Sequence, residues 1–106
     1  GHLVYKSIDK YLDGEVLTLN NNTLINNLTS GIVVYSGEKE GYGNTVIVQS
    51  VDGADIWYGN ITNVSVKLYD YIEKDKLIGE VNGDKLYLVI KKDNNFIKYE
   101  DYQIWL

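Results

Sequence analysis

The 106-residue chain contains no cysteine, no proline, no methionine and no arginine, and its one histidine is His2. Without cysteine there is neither a disulfide framework nor a thiolate metal site. Only His2 can supply an imidazole, and an isolated histidine at a terminus is read as functionless. Ten lysines against fifteen acidic residues, for a net charge of −5, exclude nucleic acid as the expected partner, because phosphate backbones are held by clustered cations. No stretch approaches the ~20 apolar residues that cross a bilayer, and no cleavable leader opens the chain. The segment is therefore expected to be soluble, held to a membrane only through an anchor outside it. Methionine is missing even from position 1 and Gly1-His2 reads as a vector remnant, so an excised piece is expected, with residues 1–11 a lead-in and 12–106 one domain.

What the chain does have is strand patterning. Leu17 and Leu19 alternate with Thr18, Val46 and Val48 with Ile47 and Gln49, and Val64, Val66 and Leu68 with Ser65 and Lys67, which puts each set on one face of a strand. The unbroken runs 31–35 (GIVVY) and 86–90 (LYLVI) suit strands covered on both sides, so they are expected at the centre, with Val33, Val48, Leu86 and Leu88 buried. Asp52-Gly53 and Asn82-Gly83 tolerate positive φ at both central positions of a tight turn and predict hairpins over 46–59 and 77–90. The stretches 20–27, rich in asparagine, and 37–44 (GEKEGYGN) read as exposed connections, the latter the favoured site for a regulatory protease. The one helical spacing is Val4, Ile8, Tyr11 and Leu12, set against irregular structure in the same segment. An all-β unit follows.

The order GIVVYSG, GYGNTVIVQSVDGADIWYGNI, VSVKLYDYIEKDKLIGEV and KLYLVI resembles the LytM, or lysostaphin-type, metallopeptidase family over about residues 12–92. The resemblance implies an all-β, antiparallel barrel-sandwich hybrid fold. That family holds zinc through H-x-G-x-D and H-x-H segments. Here the matching segments are Leu12-Asp13-Gly14-Glu15-Val16 and Lys85-Leu86-Tyr87. Leu12 stands at the first His, Val16 at the Asp, Lys85 at the catalytic His, Tyr87 at the last ligand and Asn60 at the His of a Y-x-H element. The resemblance with these replacements implies no zinc, no other cofactor and no hydrolysis, the former cleft being filled by these five residues or reused for docking.

More narrowly, WYGN, VKLYDYI, IGEV and IKKDNNFIKYEDY are similar to the C-terminal domain of the stage IV sporulation protein FA family of spore-forming bacteria. Lys98 and Tyr99 depart from the Asp-Pro usual there. This resemblance implies a protein partner, the membrane metalloprotease stage IV sporulation protein FB, which processes pro-sigma-K. It also implies a place on the extracytoplasmic side of the outer forespore membrane. Alternatives are a partner-binding domain of the stage II sporulation protein Q kind and a residual peptidoglycan endopeptidase.

Ten tyrosines with Trp57 and Trp105 either fill a β core or mark an interface, and Tyr69, Tyr71, Tyr99 and Tyr102 are the candidate partner contacts. The carboxylates Glu38 and Glu40, Asp52 and Asp55, and Asp70, Glu73 and Asp75 lie in turn-forming stretches and read as solvated rather than as an acid-base pair. The sequons at Asn21, Asn27, Asn60 and Asn63 read as a consequence of asparagine-rich composition.

Overall fold

Period-two patterning becomes strand in this chain wherever a neighbour supplies the missing ladder. The computed structural model describes residues 2–106; Gly1 and the side chain of Trp105 lie outside the described residues. Eleven strands are described: β1 Ser7–Tyr11, β2 Gly14–Thr18, β3 Leu24–Asn26, β4 Gly31–Lys39, β5 Gly43–Ser50, β6 Asp55–Gly59, β7 Ile61–Thr62, β8 Tyr71–Ile72, β9 Leu77–Val81, β10 Lys85–Lys92 and β11 Asn95–Phe96. One helical turn, α1 (Tyr99–Tyr102), runs into a 3-10 turn at Gln103–Trp105. The large sheet has the order β1-β2-β10-β6-β5-β4-β8, with β11 on β10, and the small one the order β3-β9-β7. All pairs are antiparallel. The all-β, antiparallel expectation holds, but the large sheet stays open: β1 and β8 end it without pairing, so no barrel closes.

Alternation gives the large sheet two unlike faces. Its inner face carries Val33, Val48, Leu86 and Leu88, all buried as expected, together with Leu17, Val46, Ile56 and Tyr58. They form one cluster with Ile25, Ile61, Ile78 and Val81 from the small sheet and with Tyr99 and Tyr102. Burial of a large apolar side chain stabilises by roughly 1.5–3 kcal/mol, so this cluster is the main stabilising element. A polar bridge crosses it. Tyr58 donates its hydroxyl to Asn27 Oδ1 (3.0 Å) and accepts the Leu28 amide (2.9 Å), while Asn27 Nδ2 donates to the carbonyls of Thr29 and Glu73. Asn27 is therefore an interior residue rather than part of a surface connection.

Several expectations fail for identifiable reasons. No helix forms over Val4, Ile8, Tyr11 and Leu12: Ile8 and Tyr11 lie in strand β1, with Ile8 opposite Leu17, while Val4 precedes the strand and Leu12 turns out of it, and a short terminal helix gains less than an added strand. Only the 86–90 run is covered on both sides; in 31–35, Ile32 and Val34 are exposed because β4 lies one strand from the edge. The 46–59 hairpin forms, but only Gly53 of its turn has positive φ. The 77–90 hairpin does not form. Gly83 (φ 78°) instead turns the chain from β9 in the small sheet to β10 in the large one.

Residues 64–67 belong to no described strand and Leu68 lies in a turn; the ladder-like backbone bond described there is Ser65 N–H to Ile78 O (2.9 Å). In 37–44, the residues at both ends pair as β4 and β5, leaving Glu40, Gly41 and Tyr42 as a short hairpin tip. That removes most of the unpaired backbone expected there, although Glu38, Glu40, Gly41 and Asn44 remain exposed. The asparagine-rich composition has a backbone use: Asn22, Asn60, Asn63 and Asn94 all take positive φ, which asparagine tolerates better than most residues.

Candidate functional site

The positions equated with zinc ligands meet on the outer face of the large sheet. Val16 lies directly opposite Tyr87 across β2 and β10, and Tyr87 lies opposite Gly59 on β6. Lys85, two residues before Tyr87, shares its face by strand alternation and holds Asp84 through a 3.2 Å ion pair. Leu12 occupies the β1–β2 turn at φ 47° and is exposed. Asn60 sits just beyond β6 at φ 67°, its amide committed to the carbonyls of Lys85 (2.8 Å) and Asn82 (2.9 Å). These donors tie the exit of β6 to the β9–β10 connection, which explains why an amide is useful there.

Aromatic rings fill the space between these positions. Tyr11 stacks on Tyr87 with centroids 4.3 Å apart and planes 14° from parallel. Tyr42, at the β4–β5 tip, packs edge-on against Trp57 (5.4 Å), Tyr11 (6.0 Å) and Tyr87 (6.5 Å). Gly59 makes room for that tip: a Cβ there would stand 2.9 Å from the Tyr42 carbonyl oxygen. The tip is latched by Tyr11, whose hydroxyl donates to Gly41 O, and by the Asp13 amide, which donates to the Tyr42 hydroxyl (3.3 Å). Loss of water and the neighbouring Tyr87 and Tyr42 hydroxyls push the Tyr11 hydroxyl above its ordinary pKa. Lys39 places its ammonium 4.8 Å from the Trp57 ring and 4.9 Å from that of Tyr35.

The residues present do not fit a zinc ion. Leu12 and Val16 have no lone pair to give, Asn60 has spent its amide, and protonated Lys85 repels a cation. Among the described residues no group of three or more His, Cys, Asp or Glu side chains is placed to hold a metal. What the arrangement does is pack: a layer of rings over a β floor, with Tyr42 buried and Tyr11, Trp57 and Tyr87 half-buried.

The four tyrosines singled out from sequence separate. Tyr69 and Tyr71 are exposed, by 75% and 60%. Tyr99 and Tyr102 are not partner contacts of this chain: both are buried in the core, Tyr99 accepting the Leu3 amide at its hydroxyl (2.7 Å) and Tyr102 donating to Asp52 Oδ2 (2.7 Å). α1 turns them inward, and sequence spacing alone did not reveal that turn. Sequence reasoning also missed Tyr11, Tyr42 and Trp57 as the residues that close the cleft. The only available signal for Tyr42 was its position between two glycines.

An antiparallel LytM-like sheet with a ring-filled cleft defines the class. Residues 10–98 match Peptidase family M23, and the chain belongs to that family. Stage IV sporulation protein FA of Bacillus subtilis (strain 168) is 32% identical over 78 residues, covering 69% of this chain and 30% of the relative. The chain thus spans under a third of that relative's length. Among solved structures, Csd3 of Helicobacter pylori in its hexagonal crystal superposes with TM-score 0.81 at 20% identity, over 93% of this chain and 31% of that one. The catalytic domain of the antimicrobial peptidase lysostaphin from Staphylococcus simulans gives 0.74 at 19%, over 87% and 78%. At these identities the likeness carries the fold.

Proposed function

We propose that this chain is a catalytically inactive LytM-like domain that serves as a protein-interaction and regulatory module in sporulation. The observation that carries the first half is the floor of the old cleft: Val16 faces Tyr87 where two ligands would stand, and Tyr11, Tyr42 and Trp57 close the space above. The similarity to stage IV sporulation protein FA supports the second half. In this reading the parent protein is anchored at the outer forespore membrane, with the domain on its extracytoplasmic side. There it restrains the membrane metalloprotease stage IV sporulation protein FB until restraint is lifted by proteolysis.

Co-expression tests it. The full anchored protein, produced with stage IV sporulation protein FB and pro-sigma-K, is expected to lower processing of the precursor, and deletion of residues 7–106 to restore it. Unchanged processing in the presence of the full protein defeats the regulatory reading. Endopeptidase activity on purified peptidoglycan, with about one zinc per chain, defeats the inactive one.

A further inference from the structure

Away from the ring-filled cleft, the outer face ends in an unfinished edge. Strand β8 pairs with β4 only at Gly31 and Ile32. One step further, Val33 exchanges backbone hydrogen bonds with the turn beyond it, donating to Asp70 O (2.9 Å) and accepting from Tyr69 N (2.7 Å). From Val34 to Lys39, β4 has a strand on its β5 side alone among the described residues. The register shifts between Val33 and Tyr35, and alternation after that bulge aims the backbone groups of Ser36 and Glu38 away from β5. The Glu38 carbonyl accepts the hydroxyl of Tyr35, a side-chain donor standing where a neighbouring strand would place an amide.

The bulge and the carboxylates blunt only the far half of this edge; its near half is apolar. Ile32 (43% exposed) lies beside Tyr71 as its cross-strand partner, and Val34 and Tyr69 extend the apolar surface. Tyr69 adds an independent sign. It is held at φ 73°, a conformation that disfavours a bulky side chain, by its bond to Val33 O and by the turn that Asp70 closes on the Lys67 amide (3.0 Å). Strain spent on presenting an aromatic ring to solvent points to use of that ring. At the far end, Glu38 and Glu40 are exposed carboxylates, whereas the ammonium of Lys39 is turned onto the rings of Tyr35 and Trp57. In the Tyr69 turn the exposed Lys67 is set against the exposed Asp70, so the apolar end is nearly neutral and the distal end acidic.

We propose that the free edge of β4, flanked by Ile32, Val34, Tyr69 and Tyr71, receives an extended segment of a protein partner as an added strand. Its alternate side chains are aliphatic, and it carries a lysine or arginine where it meets Glu38 and Glu40. Main-chain hydrogen bonds supply affinity in such an addition, and alternate side chains supply selectivity. The inference rests on reading the chain as an interaction module and names the surface through which it acts.

The probe is a capped heptapeptide, Lys-Val-Thr-Val-Thr-Val-Lys, titrated into the 15N-labelled chain and followed by amide NMR. Saturable shifts are expected at residues 34–38 and 69–71 and not at Trp57 or Tyr87. Methylating alternate peptide amides is expected to weaken binding at least tenfold, and exchanging both lysines for glutamate at least threefold. Tyr69→Gly, which relieves the positive φ and so preserves the fold, is expected to weaken it at least fivefold with the spectrum still dispersed. Absent saturation, shifts centred on the ring-filled cleft, or equal binding of the methylated peptide each overturn the proposal. Concentration-dependent shifts at the same edge without peptide overturn it in favour of a second copy of the chain. The processing assay is separate: restraint of the protease retained in Tyr69→Gly and Ser36→Pro leaves the regulatory reading standing and removes this surface from it.

Discussion

The two ends of the outer sheet face are built from the same kinds of residue and treat them oppositely. At the β2–β10–β6 end, Tyr11, Tyr42, Trp57 and Tyr87 pack on one another, and the hairpin tip is folded down across Gly59 so that Tyr42 is buried. At the β4–β8 end, Ile32, Tyr69 and Tyr71 face solvent beside a strand that lacks its second neighbour. An aromatic side chain by itself is neutral between these fates. The deciding factor is whether the chain returns over it, as the β4–β5 tip does at one end and nothing described does at the other.

The sharpest way to break this contrast is to truncate one ring from each end. Tyr42→Ala is expected to destabilise by ~3–5 kcal/mol, as for a buried aromatic, and Tyr71→Ala by less than ~0.5 kcal/mol. Similar losses in chemical denaturation would mean that the ends do not differ. Beneath the face, Leu88→Ala should cost ~2–5 kcal/mol, because Leu88 belongs to the inner cluster; an unaltered denaturation midpoint there would contradict the two-sheet core.

Tyr102 separates the interior tyrosines from the exposed ones. Its hydroxyl, the Ser50 hydroxyl and the Ala54 amide all bond Asp52. Burial opposes the charged carboxylate, but these donors and the charge of Lys92 outweigh it and hold Asp52 below its ordinary pKa. A depressed carboxylate stabilises the fold fully above its unfolded value of about 4 and loses that contribution as pH falls through the lower folded value. Tyr102→Phe is expected to cost ~0.5–1.5 kcal/mol at pH 7 and to reduce the acid sensitivity below about pH 4. An acid transition identical to wild type would remove Asp52 from the account.

At the closed end, Leu12→His is expected to bring neither bound zinc in elemental analysis nor release of peptidoglycan fragments, since Val16 and Tyr87 still face each other without a donor pair. At the open end, Tyr69→Gly should shift stability by no more than ~0.5 kcal/mol, in the stabilising direction if relief of the positive φ outweighs lost unfolded-state entropy. A large destabilisation would show that the ring packs instead of projecting.

Much of the fold was legible because it is local. Period two marks β2 and β5, unbroken apolar runs mark β4 and β10, and together they placed Val33, Val48, Leu86 and Leu88 inside before any neighbour was known. The motif order carried the family. Less legible was anything set by a partner strand. Both β9 and β10 read as sound strands joined by a short Asn-Gly connection, and only the sheets they enter show that it is a crossing and not a hairpin. Residues 64–68 have a strand's pattern without a strand's ladder.

Side-chain chemistry alone determined one property of positions 12 and 16: hydrocarbon side chains cannot hold a metal wherever the chain places them. Tertiary structure decided where the aromatic rings around them go. Whether a tyrosine is core, cleft filling or open surface depends on long-range return of the backbone, which brought Tyr42 over Gly59, turned Tyr99 and Tyr102 inward through α1, and left Tyr69 and Tyr71 uncovered. Burial is a property of pairs of distant segments, whereas residue pattern reports only a segment's own two faces.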